Sequence, residues 1–153
     1  MHVLRRVLAV FASVALLAGV GLFTSSAAQA ATSCSGTITY DRTVSHNGSA
    51  IGELVIYHNS SNGGTNSACF YHRGASYGVS ATTSVEIHRC LQKSGTGGGG
   101  CTVDATSRID KGSYACNAGS VGVTGTANYC VYAYGYINWA GHEYSVSSGT
   151  RGC

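Results

Sequence analysis

The stretch richest in chemical possibility is Arg89 to Thr102, "RCLQKSGTGGGGCT", where four consecutive glycines follow a lysine and lie between two cysteines. A phosphate cradle needs glycines that end a strand and open a helix, so that backbone amides and the helix dipole converge on the anion. Here the glycines run into "CTVDATSRI", which alternates like a strand, and Lys93 precedes them instead of following. The segment therefore reads as a hairpin tip, with Cys90 and Cys101 placed to clip its mouth. Such a bridge closes a short loop and contributes up to ~3 kcal/mol on the chain-entropy account.

Other constellations are thin. The seven cysteines stand at 34, 69, 90, 101, 116, 130 and 153, none close enough for the Cys-x2-Cys pair typical of zinc. Histidines 46, 58, 72, 88 and 142 are dispersed. His58 and His72 sit on two arms of an expected hairpin and could meet across it, but zinc would want further ligands, so they read as solvent-facing strand residues. His142-Glu143 lacks the second histidine of a metalloprotease helix, and no Gly-x-Ser-x-Gly elbow occurs. His88 neighbours Cys90 in sequence and shares a strand face with Glu86, which establishes no nucleophile–base geometry. The acids Asp41, Glu53, Glu86, Asp104, Asp110 and Glu143 could converge only through folding. The expectation is a chain without catalytic residues, metal or cofactor.

Tyrosine is more informative. In "NYCVYAYGYINW", Tyr132, Tyr134 and Tyr136 share one strand face, against Val131, Ala133, Gly135 and Ile137 on the other. The smaller apolar set is expected to pack inward, leaving an outward tyrosine ladder, with Tyr129 joining it only across a strand break near Cys130. Tyrosines offer large contact area at low entropy cost to a sugar or a protein. They are also simply good strand formers.

The elements that must position these residues follow from the rest of the chain. Residues 1–30 read as a secretory signal peptide: Arg5 and Arg6, an apolar run from Val7 to Phe23, and an Ala28-x-Ala30 cleavage pattern. The remaining 31–153 form one expected domain. Losing Arg5 and Arg6 lowers Lys plus Arg from 9 to 7 against 6 acids, about +1, and the cations are scattered. That disfavours nucleic acid, which needs clustered positive charge. Export makes the cysteines disulfide candidates, although seven cysteines admit many pairings. No membrane span is expected in the mature protein.

Short alternating segments recur: "GTITYDRTV", "ELVIYH" and "ACFYHR" about a turn-rich "NSSNGGTNS", then "SVEIHRC", "CTVDATSRI", "SVGVTG", "CVYAYGYINW" and "EYSVSS". With no helical period after residue 30, the fold class is all-β, a single antiparallel sandwich or barrel.

Two segments resemble a known family. Gly52 to Gly74, "GELVIYHNSSNGGTNSACFYHRG", and Asp110 to Ile137 are similar to spore-associated protein A, a small secreted protein of filamentous actinobacteria. In the second segment the matching residues are Asp110, Gly112, Tyr114, Ala118, Gly119, Val121, Val123, Cys130, Val131, Gly135 and Ile137. The resemblance implies bridges Cys69–Cys130 and Cys34–Cys153 and supplies no catalytic residue. The chain departs from the pattern at Ser120, where relatives are expected to carry proline, and adds Cys90, Cys101 and Cys116, leaving Cys116 as the odd cysteine. The expectation is a secreted binding or structural protein of the cell or spore surface, or of an extracellular assembly, facing a protein partner or a cell-surface polymer. Its rivals are an adaptor or inhibitor docking a secreted protein, such as a subunit of an antibacterial toxin particle, a carbohydrate-binding domain, and a small hydrolase.

Overall fold

The computed structural model describes residues 33–97 and 99–153. The expected signal peptide lies outside the described residues. Nine strands run in order: β1 (Thr37–His46), β2 (Ser49–Asn59), β3 (Thr65–His72), β4 (Ala81–Lys93), β5 (Val103–Thr106), β6 (Asp110–Tyr114), β7 (Asn117–Thr124), β8 (Tyr129–Trp139) and β9 (His142–Arg151). They form two antiparallel sheets packed face to face, sheet A in the order β1-β2-β3-β7 and sheet B in the order β5-β4-β8-β9, with β6 also pairing β4. The all-β sandwich expected from strand periodicity is the fold observed.

Period-2 alternation decides which side chains fill the space between the sheets. Leu54 and Ile56 of β2, Ala68 and Phe70 of β3, Val85 and Ile87 of β4, and Ala133 and Ile137 of β8 are fully buried in one cluster. Phe70 is the largest of them, and its ring needs two absent side chains. A Cβ on Gly52 would come within 2.6 Å of the ring from β2, and a Cβ on Gly135 within 2.6 Å from the opposite sheet. A polar tie joins the sheets beside it. His72 Nδ1 donates to the Ser76 carbonyl at 3.0 Å, and Nε2 lies 2.7 Å from Thr83 Oγ1 on β4.

The β1–β2 connection is a tight turn at Asn47-Gly48, both with positive φ (49° and 79°), the conformation that suits a two-residue hairpin. The glycine run links β4 to β5 as a hairpin, Leu91 N–H donating to the Thr102 carbonyl at 2.7 Å. The segment "CTVDATSRI" does not make one strand. Ser107 turns inward, exchanging hydrogen bonds with the Ile87 backbone through its own amide and hydroxyl, both at 2.9 Å. The chain re-enters as β6, a polar strand with no apolar alternation to announce it.

Two of the three bridges differ from those the resemblance implied. The disulfides are Cys34–Cys69, Cys90–Cys101 and Cys130–Cys153, and Cys116 is a free, exposed thiol. Parity explains the correction. Cys69 alternates with core-facing Ala68 and Phe70, and Cys130 precedes core-facing Val131, so both point out of opposite sheets. They cannot meet through the core. Cys69 instead takes Cys34 from the N-terminal segment, which crosses the outer face of β3 where Ser67 Oγ donates to the Ser33 carbonyl. Cys130 takes Cys153 because Val131 pairs with Arg151 at the adjoining strand ends.

Two measurements test this architecture. Gly135→Ala is expected to cost about 1–3 kcal/mol in denaturant unfolding through overpacking against Phe70, and the cost should shrink in a Phe70→Leu background. An equal cost in both backgrounds refutes the contact. Non-reducing peptide mapping should return the three bridges above, and a Cys69–Cys130 peptide would contradict the arrangement of the two faces.

Candidate functional site

The outer face of sheet B carries the candidate site. Val131, Ala133, Gly135 and Ile137 of β8 turn to the core, so Tyr132, Tyr134 and Tyr136 stand on the outer face, each partly exposed. Register brings β4 residues beside them: His88 opposite Tyr132, Glu86 opposite Tyr134 and Ser84 opposite Tyr136. On the other side β9 supplies Ser147 opposite Tyr134 and Ser145 opposite Tyr136. Tyr129 has the opposite parity and lies away from this face, among residues at one end of the sandwich.

The rings are linked rather than isolated. His88 stacks on Tyr132 with ring centres 6.0 Å apart, and Tyr134 and Tyr136 are tilted neighbours at 6.3 Å. Lys111 of β6 places its ammonium 5.8 Å from the centre of the Tyr136 ring. The Tyr136 hydroxyl, as a hydrogen-bond partner, raises the Lys111 pKa above the ordinary lysine value. Tyr134 donates to Glu143 Oε1 at 3.2 Å. The Ser145 hydrogen bond, its largest influence, pulls the Tyr134 pKa down, while burial and Glu143 push it up, and the net shift is upward. The ladder is thus a row of phenols flanked by Lys111 and Glu86 on the β4 side and by Glu143 on the β9 side. At its His88 end lies a hollow of about 380 Å³ lined by His88, Val103, Tyr132, Thr150 and the bridged Cys101.

Parity within β8 was readable from the chain. The partners on β4, β6 and β9 were not, because they depend on strand order. Glu86 and His88 do share a strand face, 3.5 Å apart.

The remaining candidates separate. Glu53 pairs with Arg73, Asp104 with Arg89, and Asp110 accepts from the Tyr114 hydroxyl and the Gly119 amide. The six acids do not converge. His58 and His72 stand at opposite ends of the β2–β3 pairing, His58 opposite Asn66 and His72 opposite Gly52. The solvent-facing assignment fails for His72, which is fully buried because it shares the parity of Phe70 and Ala68. Among the described residues no group of three His, Cys, Asp or Glu side chains could hold a metal, and no helix is long and apolar enough to cross a membrane.

A second aromatic pair lies on the outer face of sheet A, with Tyr57 and Tyr71 hydroxyls 2.9 Å apart and Arg73 over the Tyr71 ring. Burial, with help from Tyr57, raises the Tyr71 pKa far above the ordinary tyrosine value. These hydroxyls satisfy each other, unlike the ladder. No known protein family, curated protein or solved structure matches the chain.

The Glu143 carboxylate disfavours a nearby phenolate, so Glu143→Gln should lower the Tyr134 titration point, read from its ring signals across an alkaline pH series. An unchanged or higher value would remove Glu143 from the account of the ladder.

Proposed function

We propose that this chain is a secreted, non-catalytic binding or structural protein that works at the cell or spore surface or within an extracellular assembly, with the outer face of sheet B as its contact surface. One observation carries the reading: Tyr132, Tyr134, Tyr136 and His88 are aligned on one sheet face with rings partly exposed. Half-buried aromatic rings with hydroxyl tips suit a surface that must be wet alone and dry in a complex. The dispersal of the carboxylates over both sheets favours binding over hydrolysis. Three disulfides are the chemistry of an oxidising compartment and support the extracellular setting. The resemblance to spore-associated protein A points the same way, although its implied bridges do not form.

Two classes of partner fit such a surface. The hollow beside His88 and Tyr132 favours a cell-surface polysaccharide, whose sugar rings can lie against aromatic faces. The charged flanks, Lys111 on β6 and Glu143 on β9, favour a protein partner docked across the strands, as in an adaptor or inhibitor.

The test is co-sedimentation of the mature protein with purified cell-wall polymers, alongside isolation of stoichiometric complexes from its own culture fluid. A Tyr132→Ala/Tyr134→Ala double variant is expected to bind at least about tenfold more weakly, the scale of one lost aromatic anchor. Undiminished binding removes the ladder from the contact surface. Polymer breakdown that disappears on Glu86→Gln would sink the non-catalytic reading.

A further inference from the structure

A second site lies at the open end of the sandwich, away from the ladder. The core-facing rows of four strands turn polar there. Leu54 and Ile56 of β2 are followed by His58, and Phe70 and Ala68 of β3 are preceded by Asn66. Val131 of β8 is preceded by Tyr129 and pairs with Arg151 of β9. These residues and Thr126 line a cleft of about 280 Å³ between the sheet ends. That is near the lower end of the roughly 300–1,000 Å³ common for small-molecule sites.

We propose that this cleft binds a small monoanionic carboxylate, of the size of one uronic acid or one chain-terminal amino acid. The cation is Arg151. Its guanidinium lies over the Tyr40 ring at 4.5 Å, and its Nε donates to the Ser148 carbonyl at 2.7 Å. Those two contacts fix the plane of the fork. Arg73 and Arg89 each hold an acidic partner, whereas Arg151 forms no ion pair among the described residues. A planar fork with free Nη groups matches a carboxylate by two parallel hydrogen bonds.

Neutral donors complete the site. Asn66 and Thr126 are more than nine-tenths buried, and Asn66 Nδ2 donates to Thr126 Oγ1 at 2.7 Å. Thr126 therefore keeps its own hydroxyl hydrogen to donate. No acidic side chain lines the cleft. One fixed cation among neutral donors balances a single negative charge, which favours a carboxylate over a phosphate dianion.

The test is an amide-signal NMR titration of the disulfide-intact protein with sodium glucuronate and with N-acetylalanine. Glucose and N-acetylalaninamide are the neutral controls, and inorganic phosphate is the anion control. At least one carboxylate should shift the Thr126, Ala127 and Gly152 amides saturably below about 10 mM, and the responding probe tells a sugar acid from a peptide end. Arg151→Gln should weaken binding at least about tenfold, the loss expected of a charge-assisted pair, with Arg151→Lys intermediate. Ser94→Trp, on an exposed residue at the rim, should block the cleft with Arg151 intact, so the result does not hang on how the Gln variant folds. The proposal is overturned if neither carboxylate saturates, if the neutral controls or phosphate bind as well, or if Ser94→Trp leaves binding unchanged.

Discussion

The structure depends on how one ring is accommodated. Phe70 sits in the middle of a central strand, and its ring occupies space that a side chain on Gly52 or on Gly135 would claim. The two glycines come from different sheets, so a single contact sets the approach of neighbouring strands and the separation of the layers. Close-packed interiors transmit such a constraint, because a methyl group out of place must displace its neighbours. Gly135 therefore belongs to the site indirectly: the inward gap that admits Phe70 keeps β8 close to the core while Val131, Ala133 and Ile137 face in and Tyr132, Tyr134 and Tyr136 face out.

The two outer faces are finished differently. Sheet A is closed off by the Cys34–Cys69 bridge, by the N-terminal segment across β3, and by the Tyr57–Tyr71 pair, whose hydroxyls satisfy each other. Sheet B is covered only at one end, where the buried Cys90 and Cys130 are bridged to Cys101 and Cys153 and Thr150 Oγ1 donates to the Gly99 carbonyl; beyond it the aromatic row is bordered by charged groups from β6 and β9. The same asymmetry governs the ends of the sandwich. One end is tied by the buried His72–Thr83 link, and the other opens into the cleft that holds Arg151. The ladder and the cleft are the stretches that these ties leave uncovered.

A binding role accords with this division. The ladder's strand is paired on both sides, Tyr134 and Tyr136 are neighbouring rings, and Tyr132 is stacked on His88. Little ordering would be required on contact, which is the circumstance in which a modest aromatic surface binds well. The cleft is built on the same logic, with a guanidinium held in place by an aromatic ring and a carbonyl before any ligand arrives.

Sequence by itself determined the strand-rich class, the parity of β8 with its inward Val131, Ala133 and Ile137, and the hairpin about the glycine run clipped by Cys90 and Cys101. Each is local: alternation and turn chemistry act within a few residues. It could not determine that Ser107 cuts the apparent strand short at β5 or that β6 follows, since that inward turn is stabilised by the Ile87 backbone of another strand. Nor could it pair Cys34 with Cys69, place His88 on Tyr132, or gather His58, Asn66 and Arg151 at one opening. Those outcomes require strand order and the facing of two sheets, which arise from contacts between residues far apart in the chain. Only the tertiary structure decided them.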